Sequence, residues 1–189
     1  MTGSPGSESA AATVPILQTA RLTLRGFTEA DATDMHRMLL ERDVLRYFPS
    51  SEPPSLDRMR SMIQRLQAHW GERGYGLWAV VRSTDYTLLG RCGIQYLPDT
   101  DEVEIDFLLG REHWGMGYAT EAGREALRYG FEKLDVGAIV GIVHPDNISS
   151  QHVLEKLGMT SRTRTEYFGM DCYRYVVDRA GYRPHIDAR

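Results

Sequence analysis

The chain changes rhythm from apolar alternation to apolar stripes and back several times. Residues 21–27, Arg-Leu-Thr-Leu-Arg-Gly-Phe, alternate with period two and predict a strand. Thr28 is placed to cap a following helix over about 28–42, with Ala30, Met35, Met38 and Leu39 inward. Residues 49–54 carry prolines that break the chain. A second amphipathic helix follows, because Met59, Met62, Ile63, Leu66 and Trp70 recur at spacings of three and four, while Arg58, Arg60, Arg65 and Glu72 between them face water. Gly71 and Gly74 predict its end. Three strand-like runs come next, 77–81, 88–96 and 103–109, separated by polar turns near Asp85 and Asp99, and they read as an antiparallel meander.

A third helix carries the stripe Ala119, Ala122, Ala126, Leu127, Phe131 and Leu134, and residues 138–143 form a buried strand. A short helix over about 149–157 stops at Gly158, and two further strands fall near 160–168 and 172–177. The order β-α-α-β-β-β-α-β-α-β-β predicts one α/β domain of α+β type with a mixed, mostly antiparallel sheet of six to seven strands. Its limits are about 16–181, with a tail at 1–15 of Gly, Ser, Ala, Thr and Pro and a second tail at 182–189.

At 189 residues, 42% of them hydrophobic and 25% charged, the chain suits a single well-filled core. A formal charge of −4 argues against a nucleic-acid-coating or membrane-surface protein, which needs a broad basic field. The tail lacks the basic start and apolar run of a signal peptide, and no apolar stretch approaches the roughly 20 residues that cross a bilayer. The two cysteines, Cys92 and Cys172, form no CxxC pattern, and the six histidines have no metal spacing, so no metal is expected and a reducing cytoplasm is. Monomer and homodimer both stay open.

The most informative chemistry lies in Trp114-Gly115-Met116-Gly117-Tyr118-Ala119-Thr120, where two glycines turn the chain into a helix straight after a strand. Glycines let the backbone aim its N–H groups outward, and the helix start adds unpaired donors and partial positive charge, so the segment is an anion cradle suited to a phosphate. No Gly-Lys-Ser/Thr follows, which excludes a Walker loop. A dinucleotide fingerprint nearly fits through Gly115, Gly117 and Thr120, with Asp135 about 20 residues on. It fails because the preceding strand carries Glu104 and Asp106 where a central parallel strand is continuously apolar. A second segment, His144-Pro145-Asp146-Asn147-Ile148-Ser149-Ser150, leaves a strand and enters a helix that Asn147 or Ser149 can cap.

Together these segments resemble the GNAT superfamily of N-acetyltransferases. The segment Leu17-Gln18-Thr19-Ala20-Arg21-Leu22-Thr23-Leu24-Arg25 and the late Val177-Asp178-Arg179 are similar to the RimJ/RimL branch, over about residues 17–180. The resemblance implies acetyl-CoA as cosubstrate, its pyrophosphate on Trp114 to Thr120 and its pantetheine beside Asn147 and Ser150. It implies transfer to an amine by a ternary complex, the acceptor being a protein N-terminus or a small molecule.

Acetyl transfer to an amine requires a base, a donor to the thioester oxygen and an acid for the departing thiolate. Glu104 is the first choice of base, as a carboxylate out of place on its strand unless it faces a cleft, and the resemblance agrees. Asp106 shares its face and stays an alternative, as does solvent exposure of both. A backbone N–H near Leu108 or Leu109 is expected as oxyanion donor. Leu154 stands where many members carry an acidic tyrosine, which leaves Ser150 as candidate acid or simply as a first-turn residue. That departure also keeps open a non-catalytic acyl-CoA-binding module. Glu121 opens the helix near the pyrophosphate and must point away from it. Arg111, Arg124 and Lys156 read as surface cations, His113 and His144 as turn or surface residues that could also visit the site they flank, and Trp70, Tyr75 and Trp78 as acceptor pocket or core.

Overall fold

The computed structural model describes residues 13–167 and 169–184. Eight strands form one sheet in the order β1-β2-β3-β4-β5-β6-β8-β7. They are β1 (Leu17–Gln18), β2 (Leu22–Arg25), β3 (Leu77–Arg82), β4 (Leu88–Leu97), β5 (Glu102–Leu109), β6 (Ala138–Val143), β7 (Ser161–Tyr167) and β8 (Met170–Asp178). All neighbours are antiparallel except β5 and β6. The strand beyond the expected six or seven is β1, whose two residues are too short for alternation to mark.

Four helices cover the sheet. α1 (Asp31–Leu40) and α2 (Leu56–Arg73) pack Met35, Met38, Met59 and Ile63 on Ala79, Val81, Leu88 and Leu108. On the opposite face, α3 (Tyr118–Lys133) and α4 (Ile148–Lys156) set Ala122, Ala126, Leu127, Phe131 and Leu154 on Leu22, Ile94, Ile105, Ile139 and Tyr175. Trp70 and Trp78 are core, in edge contact at 4.7 Å, and Tyr75 is half-buried against that core.

Two expected helix ends move for stated reasons. Thr28 does not cap α1; the Asp31 carboxylate instead accepts the Thr28 N–H at 2.7 Å and is held by Arg25, so the helix begins later and leaves Ala30 exposed. Gly71 stays inside α2, and Gly74, with φ 71°, ends it in the left-handed conformation. Of the expected tails, residues 1–12 and 185–189 lie outside the described residues, as does Phe168 of the expected 160–168 strand. Pro15 accepts the Trp78 indole N–H at 2.8 Å, and Tyr182 stacks on Phe131 at 4.6 Å, so the packed chain extends slightly past both expected boundaries.

The site is positioned by the junction of β5 and β6. Their ladder holds one rung, Glu104 opposite Val140, whereas β5 stays paired with β4 to Leu109 and β6 with β8 to Val143. Past that rung the two halves of the sheet therefore diverge, and among the described residues no further β5–β6 pair is made.

Candidate active site

Strand alternation decides which backbone groups enter the opening. The Gly110 N–H bonds Leu89 O at 2.9 Å, in the same register that sets Leu108 opposite Arg91. Hydrogen-bonding direction alternates along a strand, so the amides of Leu108 and Gly110 point to β4 while those of Phe107 and Leu109 point into the opening. Leu108 thus keeps its N–H within the sheet and its side chain buried under α1 and α2. Of the two amides expected from sequence, Leu109 faces the opening and Leu108 does not; Phe107, not expected, joins it.

The same logic on β6 explains Glu104. Arg179 N–H bonds Gly137 O, so odd-numbered β6 residues serve β8 and even-numbered ones face β5. Ile142 N–H faces the opening, where it favours the charged form of the Glu104 carboxylate. The carboxylate hence lies toward the β5–β6 opening. Of the β5 amides that face the opening past the rung, Phe107 is the nearer to Glu104 along the strand, with the Leu109 amide a further two residues toward the cradle.

Glu104 is 7% exposed. Gln95, its cross-strand partner, donates Nε2–H to Oε2 at 2.9 Å. Burial, and then the nearby Asp106 carboxylate, push the Glu104 carboxyl up to about 8, against the opposing pull of Gln95, Ile142 N–H and Arg91. Asp106, on the same face, forms a close ion pair with Arg91 (Nη2–Oδ2 2.8 Å) that is not a well-directed hydrogen bond. Asp106 is therefore engaged by a cation, whereas Glu104 makes no ion pair among the described residues and feels Arg91 only at longer range.

At the end of β5, a single 3₁₀ turn (Arg111–His113) leads into the glycine segment. Trp114 donates its indole N–H to Leu109 O at 2.8 Å, fastening the segment to the strand end. Gly115 and Gly117 have φ 72° and 80°, a region that L side chains rarely enter. Gly117 is the N-cap of α3 with no side-chain cap, and the first helical bond is Glu121 N–H to Gly117 O at 3.0 Å. The amides of Gly117, Tyr118, Ala119 and Thr120 are thus free within the helix. Met116 is half-exposed, the Tyr118 ring and Thr120 are buried, and Ala119 is half-buried, so these residues contribute backbone more than side chain. A cleft of about 630 Å³ runs from Gly117 and Thr120 past Arg124 to Lys156 and Gly158. Arg124, half-buried, and Lys156, exposed, line this cleft and make no ion pair among the described residues. Glu104 does not line this cleft, so cradle and carboxylate occupy different ends of the site.

From the β6 side, Asn147 caps α4 by accepting Ser150 N–H at 3.1 Å. Ser150 is half-buried, and its hydroxyl makes no hydrogen bond among the described residues. Leu154 is 2% exposed and fills the space beside Gly141, where an added Cβ would lie 2.6 Å from Leu154 Cδ2. His144 stacks on Tyr47 at 5.3 Å near the mouth. His113 is buried at 5% exposure, contrary to its reading as a turn or surface residue, because the 3₁₀ turn folds it under the segment.

The free amides of the cradle suit a pyrophosphate, and the unpaired amides of Phe107 and Leu109 suit an extended amide-bearing arm laid as a false strand in the opening. The acetyltransferase (GNAT) domain model matches residues 21–160. An uncharacterized protein of Bacillus subtilis, YkkB, is 33% identical over 76% of this chain and 84% of its own. An uncharacterized N-acetyltransferase of the same organism, YoaA, is 32% identical over 76% and 82%. Among solved structures, RimL, a ribosomal L7/L12 alpha-N-protein acetyltransferase in complex with coenzyme A, superposes with TM-score 0.71 at 17% identity, covering 87% of this chain and 98% of its own, a likeness of fold.

Proposed function

Because the chain belongs to the GNAT acetyltransferases, we propose that it moves an acetyl group from acetyl-CoA to a primary amine by direct transfer in a ternary complex, with Glu104 as general base. The observation that carries this is the Glu104 carboxylate facing the β5–β6 opening, buried, without an ion pair among the described residues, and pushed up to about 8. Once ionised, as pH rises toward 8, a carboxylate of that basicity accepts a proton from an ammonium group, where one at its ordinary value is a poor base.

Acetyl-CoA supplies the activated acetyl group. The free amides of Gly117 to Thr120 hold its pyrophosphate, and Leu109 N–H pairs with the pantetheine arm. Phe107 N–H, the nearer of the two free β5 amides to Glu104 along the strand, meets the negative charge that develops on the thioester oxygen. Glu104, aimed by Gln95 and Ile142 N–H, takes the proton of the incoming amine, directly or through one water. Ser150, whose hydroxyl is uncommitted, steadies or protonates the departing thiolate. Leu154 has no role in proton transfer, since it is packed against Gly141.

The acceptor is a protein N-terminal amine or a small amine; the RimJ/RimL-like motifs and the fold shared with RimL favour the former. Testing this means screening peptides of varied N-termini and small amines with acetyl-CoA, reading release of free CoA thiol. Turnover that depends on Glu104 supports the reading. Binding of acetyl-CoA with no turnover on any amine would favour a sensor module.

A further inference from the structure

The segment Thr19-Ala20-Arg21 lies about a hundred residues from the cradle in sequence and against it in space. Glu121, in the first turn of α3, has both carboxylate oxygens occupied from that side. Thr19 Oγ1 (2.6 Å) and Arg21 N–H (2.9 Å) donate to Oε1, while Arg21 Nε (2.7 Å) and Nη2 (2.6 Å) reach Oε2. Burial alone would raise the Glu121 carboxyl, yet these contacts from Thr19 and Arg21 hold it below its ordinary value. Arg21 also donates Nη1–H to Met116 O at 3.0 Å, covers the Tyr118 ring at 4.5 Å, and lies 3.5 Å from where a Gly117 Cβ would be. One guanidinium therefore touches the glycine segment at Met116, Gly117 and Tyr118 while neutralising the acid beside it.

This bears on how the cradle holds an anion at all. A carboxylate in the first turn suits the helix dipole but repels a phosphate at the same amides. Resting on the acetyl-CoA reading above, we infer that Arg21 is a positioning residue for the coenzyme. It masks the Glu121 charge from the pyrophosphate. Arg21 acts through Glu121 and does not itself contact the reacting atoms.

Charge masking and a merely structural clamp at Met116 are told apart by a double-mutant cycle on the full chain, with CoA binding read by calorimetry and folding by thermal melting. Arg21→Met leaves Glu121 uncompensated and weakens CoA binding on the order of tenfold or more. Glu121→Gln alone leaves binding equal or tighter. Arg21→Met/Glu121→Gln recovers binding to within about threefold of wild type, because the repulsion has gone with the charge. Arg21→Lys, which keeps the charge and loses the fork, falls between and guards against a variant that fails to fold. A double variant bound no better than Arg21→Met would overturn the inference and leave a merely structural clamp. If the wild-type protein itself bound no CoA, the acetyl-CoA reading would fail first and carry this inference with it.

Discussion

Gln95 faces Glu104 directly across the β4–β5 ladder and gives its Nε2–H to Oε2 at 2.9 Å. The bond favours the charged carboxylate, whereas Asp106 two residues on disfavours it. Substitutions on the two neighbours should therefore move the pH–rate profile in opposite directions. Gln95→Leu shifts the rising limb to higher pH, and Asp106→Asn shifts it to lower pH, also because Arg91 is then left unneutralised. Shifts of the same sign in both variants would refute the electrostatic account of this pair.

Glu104 also makes stability depend on pH, in the direction opposite to an ordinary paired carboxylate. Its folded value of about 8 lies above that of the unfolded chain. Below the unfolded value both states carry the proton and nothing is lost. As pH rises between the two values the unfolded chain ionises and the native one does not, so stability falls, by up to a few kcal/mol in order of magnitude. Glu104→Gln, with no charge to bury, should melt increasingly above wild type between about pH 5 and pH 8. Melting curves of the two proteins across that range give the comparison, and a constant difference would contradict the burial argument.

Proton delivery to the thiolate separates Ser150 from Leu154. Ser150→Ala is expected to lower kcat by on the order of tenfold or more with little change in melting temperature, since the hydroxyl is uncommitted and Asn147 still caps α4. Leu154→Tyr restores the residue type common in the family but not its position. The larger ring has to displace the contact with Gly141, so it should cost about 1–3 kcal/mol of stability and give no gain in kcat. Equal kcat for Ser150→Ala and wild type would remove the serine from the mechanism.

Much of this architecture was legible in the sequence because it is written locally. Alternation over 103–109, the stripe of α3, and glycines at 115 and 117 each act within a few residues, and two acids, Glu104 and Asp106, stood out on an otherwise apolar strand. What stayed hidden depends on register. That Phe107 and not Leu108 offers its amide follows from which residues pair with β4, and no residue type records that parity. Ile142 contributes only a backbone N–H, exposed because β6 leaves β5 after one rung. The solution to the awkward charge of Glu121 lay in Thr19 and Arg21, a contact spanning about a hundred residues that periodicity cannot reveal. His113 misled for the related reason that a short 3₁₀ turn decides whether its side chain is covered.

The most direct test of the account is the pH dependence of kcat for acetyl transfer to the best amine of the screen, wild type against Glu104→Gln, at saturating acetyl-CoA and acceptor. The wild-type rate should rise with a single ionisation near 8. Glu104→Gln should lose about 10²–10⁴ in kcat, lose that limb, and keep its affinity for acetyl-CoA. A variant that keeps both the rate and the limb would show that the carboxylate in the β5–β6 opening is not the base.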